Sequence, residues 1–238
     1  MPPTIVLVHG AFADSGSWDP VIDRLPADQR VIAAANPLRC LATDAQSVSD
    51  LVRAIDGPVV LVAHSYGGAV ISNVAPDAGE IVGLVYVNAF APEPGEHCFQ
   101  LAAMFPGSMV GEDTVWPVPR SDGTTDFSIA RDSFHKVFCA DLPATQAARM
   151  AATQRPATQE ALTEPSGDSS LWKHVPSWFL IGELDRVIPA ELQRYEAKRA
   201  GAHRVLEIPG ASHVAMLSHP AAVAKLIAEA GSLVHAPA

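Results

Sequence analysis

Apolar residues along this chain gather in short continuous runs that recur at intervals. Ile5 to Val8, Val31 to Ala35, Val59 to Val62, Ile81 to Val87, Trp178 to Ile181 and Val205 to Ile208 are rich in β-branched side chains. A strand covered on both faces has no polar side to alternate with, so these runs predict a parallel sheet buried between layers. Between them, Ala45, Val48, Leu51, Val52 and Ile55 recur at helical spacing behind Thr43 and Asp44, which predicts a helix capped there. Val70, Ile71, Val74 and Ala75 form a second stripe, and Val223, Leu226, Ile227 and Ala230 a third behind His219-Pro220. Strand and helix alternating in this way predict a doubly wound α/β sheet of about six strands, with ligands bound beyond the carboxyl ends of the strands.

The alternation breaks once. From about 91 to 174 the chain has no strong strand run, several Pro and Gly interruptions, and helical patches such as Ala144 to Thr153. So long a stretch inside a compact domain should carry its own structure, and it is read as an inserted helical lid within one domain spanning 1–238. Its aromatic and sulfur side chains, Phe99, Met104, Phe105, Phe127 and Phe138 among them, are expected to pack on the sheet, with some facing a cleft below. A chain of 238 residues can bury one sizeable core.

Sixteen basic against 26 acidic residues give a formal charge of −10 with no basic cluster, which argues against nucleic acid as a partner. Cys40, Cys98 and Cys139 are odd in number and widely spaced, as expected of reduced thiols. Met1-Pro2-Pro3-Thr4 has no basic region and runs into an apolar stretch too short for a signal peptide or membrane span. A soluble cytoplasmic chain without membrane association is therefore expected. Oligomeric state is not legible, a homodimer being one arrangement left open.

The chemistry centres on Leu61-Val62-Ala63-His64-Ser65-Tyr66-Gly67-Gly68. A serine between a strand run and a helix start, with Ala63 and Gly67 two residues to either side, reads as a nucleophile elbow. A hydroxyl attacks well only if a base takes its proton and a third group orients that base. Later strand ends supply both. Trp178 to Ile181 leads into Gly182-Glu183-Leu184-Asp185, and Val205 to Ile208 into Pro209-Gly210-Ala211-Ser212-His213. Asp185 is favoured as the acid over its rival Glu183. Among nine histidines only His213 follows a strand after the acid. His9 is expected to be structural, His64 to point away from Ser65 and pack, His97, His135 and His174 to belong to the lid. His203, His219 and His235 lie in polar, helix-start and terminal surroundings.

An oxyanion needs preorganised N–H donors. Tyr66 would supply one from its backbone and the loop His9-Gly10-Ala11-Phe12 the other, with Ala11 preferred and Phe12 second. Phe12 is also expected in the substrate pocket. No HExxH or Cys/His cluster suggests a metal, and no GxGxxG follows the first strand, so neither metal nor cofactor is expected.

With these motifs the chain resembles the α/β-hydrolase superfamily over nearly its full length, including the order Ser, Asp, His. Val6-Leu7-Val8-His9-Gly10-Ala11-Phe12 with Trp18, the elbow, and Ser212-His213-Val214-Ala215-Met216-Leu217-Ser218 are most similar to the branch holding plant methylesterases, hydroxynitrile lyases and bacterial esterase relatives. The lyases carry threonine after the first-strand histidine and lysine after the catalytic one. Gly10 and Val214 stand there here, so the resemblance implies an esterase. Ala63 in place of the elbow glycine departs from the pattern, as does a start directly on the His-Gly strand, so the first two strands of larger relatives are expected to be absent. The expected activity is hydrolysis of carboxylic esters, lactones included, of small apolar or aromatic molecules through an acyl-enzyme. A receptor that keeps the scaffold for binding, and a perhydrolase, haloperoxidase or C–C bond hydrolase using the same residues, are the alternatives.

Overall fold

The computed structural model describes residues 2–232. Strand β1 (Thr4–Val8) leads through a short helix α1 (Asp19–Ile22) to β2 (Val31–Ala34), then α2 (Leu41–Arg53), β3 (Val59–Ser65), α3 (Tyr66–Ser72) and β4 (Ile81–Ala89). The lid follows, with α4 (Cys98–Ala102), β5 (Val115–Pro119), β6 (Thr125–Ile129), α5 (Arg131–Phe138), α6 (Ala144–Thr153), β7 (Ala157–Thr158) and α7 (Gln159–Thr163). The chain then returns to β8 (Ser177–Gly182), α8 (Ala190–Arg199), β9 (Arg204–Ile208), α9 (Ala215–Ser218) and α10 (Pro220–Ser232).

Each of the six apolar runs forms a strand, and these pair in parallel in the order β2-β1-β3-β4-β8-β9. The central strands β1, β3 and β8 are buried along their whole length, as continuous apolar runs require. Because the chain goes from β1 outward to β2 and then back across to β3, the order reverses between β1 and β3. That switch point is where loops diverge and leave a crevice. The His9 to Phe12 loop and the β3–α3 turn flank it.

Three elements differ from expectation. Helix α2 starts at Leu41 with no side-chain cap from Cys40, and Asp44 lies in its first turn, buried. The Asp44 carboxylate folds back to accept from Arg39 N–H and also accepts the Tyr66 hydroxyl at 2.8 Å. It is a tertiary link where a local cap was expected. Helix α3 ends at Ser72, short of Val74 and Ala75. Pro76 follows Ala75 and disfavours helical backbone in the residue before it. The lid is helical as expected but also carries a three-stranded antiparallel sheet, β5-β6-β7. Pro117 and Pro119 disguise β5, since proline cannot donate to a ladder, and β5 is accordingly an edge strand. The hairpin turn has its local signal in Asp122-Gly123, where Gly123 adopts φ 89° and Asp122 Oδ1 accepts from Thr124 N–H at 3.0 Å.

Polar contacts tie the lid to the rest of the fold. Arg39, in the loop before α2, pairs with the buried Asp126 of β6 at 2.8 Å, and Arg120 within the lid holds the same carboxylate at 3.0 Å. At the lid's entry Arg199 of α8 donates to both oxygens of Glu96 and to the Ala91 carbonyl, and Glu196 Oε1 accepts the Ala91 N–H. Burial pushes the Glu196 carboxyl up to about 8, so it is protonated at neutral pH.

Gly68 marks the tightest approach of α3 to β4. A Cβ there would lie 2.2 Å from the Phe90 carbonyl oxygen. Gly to Ala inside a helix ordinarily stabilises, but Gly68→Ala is expected to lower unfolding stability by about 1–3 kcal/mol, because backbone must shift. Urea denaturation at constant m-value measures this; an unchanged or raised midpoint would contradict the packing.

Candidate active site

Ser65 ends β3 with φ 55° and ψ −126°, a backbone conformation that costs a non-glycine residue on the order of 1–3 kcal/mol. The strain is held by close packing on both sides. A Cβ on Gly10 would come within 2.5 Å of the Ser65 Cβ, and one on Gly67 within 2.6 Å of the Val8 carbonyl oxygen. Only hydrogen fits at either position. The turn thus presses the serine against the loop after β1, as a strand-to-helix elbow should.

The Asp185 carboxylate is buried and accepts five hydrogen bonds. Oδ1 takes Val187 N–H at 2.8 Å and Ile188 N–H at 3.0 Å. Oδ2 takes Asn88 Nδ2 at 3.0 Å, Gln193 Nε2 at 2.9 Å and His213 Nδ1 at 2.8 Å. Since an ionised carboxylate only accepts, this contact puts the proton of neutral His213 on Nδ1 and leaves the Nε2 lone pair free. Nε2 is buried without a hydrogen-bond partner, so the Ser65 hydroxyl is not bonded to it in this arrangement. Glu183 turns elsewhere, its Oε2 accepting Gly210 N–H at 2.9 Å between the two strand-end loops.

His64 packs behind the site with its ring 4.6 Å from that of His213, and its Nε2–H donates to the His213 carbonyl at 2.9 Å. Burial, aided by nearby His213, holds its pKa well below 6.5, so it is a neutral prop. His9 is likewise structural: Nε2 accepts Asn36 N–H at 3.1 Å and Nδ1–H donates to the Gly10 carbonyl. Burial lowers its pKa too. His97 accepts the Gln100 N–H at the start of α4, His135 bonds the Leu142 carbonyl, His203 packs near Trp178, and His219 contacts Ser218. His235 lies outside the described residues.

Of the two oxyanion donors considered in the first loop, Phe12 N–H donates to the Arg155 carbonyl of the lid at 3.0 Å. Ala11 N–H and Tyr66 N–H have no acceptor among the described residues. The Tyr66 hydroxyl is tied to Asp44, and burial raises its pKa, so it stays a neutral phenol outside the chemistry.

Residues 5–226 match the alpha/beta hydrolase family. This chain belongs to that family. It is 28% identical to a pyrethroid hydrolase of Sphingobium wenxiniae over 249 aligned positions, covering 94% of this chain and 86% of the relative. It is 26% identical to Methylesterase 7 of Arabidopsis thaliana, covering 94% of each. An extracellular alpha/beta-hydrolase from a Paenibacillus species superposes with TM-score 0.79 at 23% identity, over 97% of this chain and 99% of that one.

Around the candidate site the lid lines two neighbouring spaces. Ser65 opens on a pocket of about 30 Å³ bordered by Phe12, Tyr66, Cys98, Phe99, Ala102 and Val110. Burial pushes the Cys98 thiol up, so it is neutral there. Phe99, Ala102 and Val110 are shared with an outer cleft of about 630 Å³, whose walls include Phe105, Pro117 and Phe127. Glu112 is its one carboxylate. The lid aromatics therefore divide: Phe99, Phe105 and Phe127 face the cleft, while Phe134 and Phe138 are buried in packing and Trp116 is exposed. Among the described residues no His, Cys, Asp or Glu group could hold a metal ion, and no helix is long and apolar enough to cross a membrane.

Asn88, Gln193 and Asn36 are site residues that sequence patterns missed. Only Asn88 carried a signal, as a polar residue closing the apolar run of β4.

His64 and His9 fold neutral, with pKa values below that of the unfolded chain. Between their folded pKa and about 6.5 the unfolded state binds the extra protons, so stability falls as pH drops below about 6.5. His64→Gln retains an amide donor toward the His213 carbonyl and is expected to flatten the decline in Tm between pH 7 and 5. An unchanged slope would mean that His64 does not titrate as its burial requires.

Proposed function

We propose that this hydrolase cleaves carboxylic esters, lactones included, of small apolar or aromatic molecules, with Ser65, His213 and Asp185 as its catalytic triad. The observation that carries the reading is the Asp185–His213 hydrogen bond at 2.8 Å, which engages Nδ1 and leaves Nε2 without a partner on a ring buried beside the elbow. An ester entering the site brings Ser65 Oγ and Nε2 into contact, as catalytic hydrogen bonds commonly tighten only with substrate. Nε2 takes the hydroxyl proton as Oγ attacks the carbonyl carbon, and Asp185 stabilises the imidazolium that forms. Ala11 and Tyr66 N–H groups receive the oxyanion, each worth about 3 kcal/mol of barrier. His213 then returns the proton to the leaving alkoxide, and water repeats the sequence on the acyl-enzyme.

Two features support the substrate class. A pocket of about 30 Å³ at Ser65 admits only a small group, while the adjoining cleft of about 630 Å³ is apolar and large enough for the rest of a drug-sized ester. Glu112 in that cleft disfavours anionic substrates. The relatives named for pyrethroid and methyl ester hydrolysis agree with this class. A cytoplasmic location and a homodimer remain part of the proposal, to be read by cell fractionation and light scattering.

Ser65→Ala is expected to reduce hydrolysis of 4-nitrophenyl acetate by about 10⁴-fold or more while the circular dichroism spectrum is retained. An aryl phosphonate should add its mass to the peptide containing Ser65. Turnover equal to wild type in Ser65→Ala would reject the triad. Asp185→Asn, which disturbs the His213 tautomer, is expected to lower kcat by about 10⁴-fold; a loss below tenfold would assign the orienting role to another group. A tight ligand recovered unchanged would favour the receptor reading.

A further inference from the structure

We infer that Asp141, delivered by the lid, is a positioning residue for His213. Its kinetic effect rests on the proposed triad; the contact does not. Asp141 lies in the turn between α5 and α6, and both of its carboxylate oxygens engage Ser212, the residue directly before the histidine. Oδ2 accepts Ser212 N–H at 3.1 Å and Oδ1 accepts the Ser212 hydroxyl. One carboxylate bridging the main-chain and side-chain donors of one residue fixes both its backbone and its rotamer, with charge-assisted bonds.

The remaining groups around this loop belong to the sheet. Asn88 Nδ2 donates to the Ser212 carbonyl at 3.4 Å, His64 donates to the His213 carbonyl, and Gly182 presses on the 211–212 backbone closely enough that a Cβ would lie 2.6 Å from the Ser212 oxygen. Asp141 brings a charged group to this loop from the inserted segment, which also sets Phe138 against the His213 ring. Its own turn is tied down: His135 of α5 bonds the Leu142 carbonyl at 2.8 Å, and Phe138 at the end of α5 meets the His213 ring edge-on, with centroids 5.1 Å apart. His219 Nδ1 stands 4.0 Å from Oδ2, and Cys139, two residues away in the same turn, is kept a neutral thiol by burial and by the Asp141 charge. Ser212 is 2% exposed, so without the carboxylate its N–H and hydroxyl would have to move to find water. That movement would carry His213 with it. The placement of the histidine loop is thus coupled to the seating of the lid.

The test compares Asp141→Ala, Asp141→Asn, Ser212→Ala and the Asp141→Ala/Ser212→Ala double variant, each quantified as folded protein. Asp141→Ala should lower kcat for 4-nitrophenyl acetate by about 10- to 100-fold, as expected for a misplaced catalytic group, with KM within about twofold. Asp141→Asn should recover part of kcat, because its amide oxygen still accepts the Ser212 hydroxyl. The double variant should be no worse than Asp141→Ala, since the two side chains act through one contact. Hydrogen exchange of the 209–214 backbone should accelerate in Asp141→Ala. A variant that loses Tm but keeps wild-type kcat would reduce Asp141 to a structural role and overturn the inference, as would unchanged exchange or additive losses. Should wild-type protein hydrolyse no ester, the triad reading fails instead, and the exchange measurement still judges the clamp.

Discussion

A carboxylate sealed from water at the end of β8 governs the rest of the site. Burying an ion without partners would be prohibitive, and Asp185 is sustained by two backbone N–H groups of its own loop, two amide side chains and one imidazole. The partners come from three separate elements: Asn88 from the end of β4, Gln193 from α8 and His213 from the loop after β9. Satisfying one charge therefore pins three parts of the chain together. The imidazole tautomer follows without further machinery, because the carboxylate dictates which nitrogen carries the proton.

The sheet supplies rigidity and the loops supply chemistry. Parallel strands with both faces covered end at one edge, and every candidate group for the reaction leaves from that edge: the first loop, the elbow, Asn88, Asp185 and His213. Small residues let these loops approach closely. Gly10 and Gly67 leave room for a strained serine, and Gly182 admits the 211–212 backbone beside it. Strain at Ser65 persists because its neighbours leave it nowhere to relax.

The lid takes part in this assembly as well as covering it. It lines the pocket at Ser65 and the outer cleft beside it, occupies the Phe12 N–H through Arg155, and reaches the histidine loop through Asp141. Its attachments are ion pairs and charge-assisted bonds to Arg39 and Arg199, while its inner surface is largely apolar. Arg199 and Glu196 hold its entry at Ala91, so the segment is anchored at its root and again at the histidine.

Reading along the chain was enough for whatever depends on neighbours in sequence. All six strands of the parallel sheet and the strand-to-helix turn at Ser65 were legible, because a covered strand must be continuously apolar and a sharp turn must have small flanking residues. The preference for Asp185 over Glu183 could be argued on pattern, but its physical reason, which carboxylate faces the imidazole, lies in contacts across the fold. So do the donors Asn88 and Gln193, the inward turn of Asp44, the proline-masked β5, the commitment of Phe12 N–H to Arg155, and the clamp from Asp141. These depend on residues many tens of positions apart meeting in space, and hydrophobic periodicity carries no record of which distant polar group will satisfy another. Local sterics wrote the strands and turns into the sequence; only tertiary packing decided which buried polar atoms found partners.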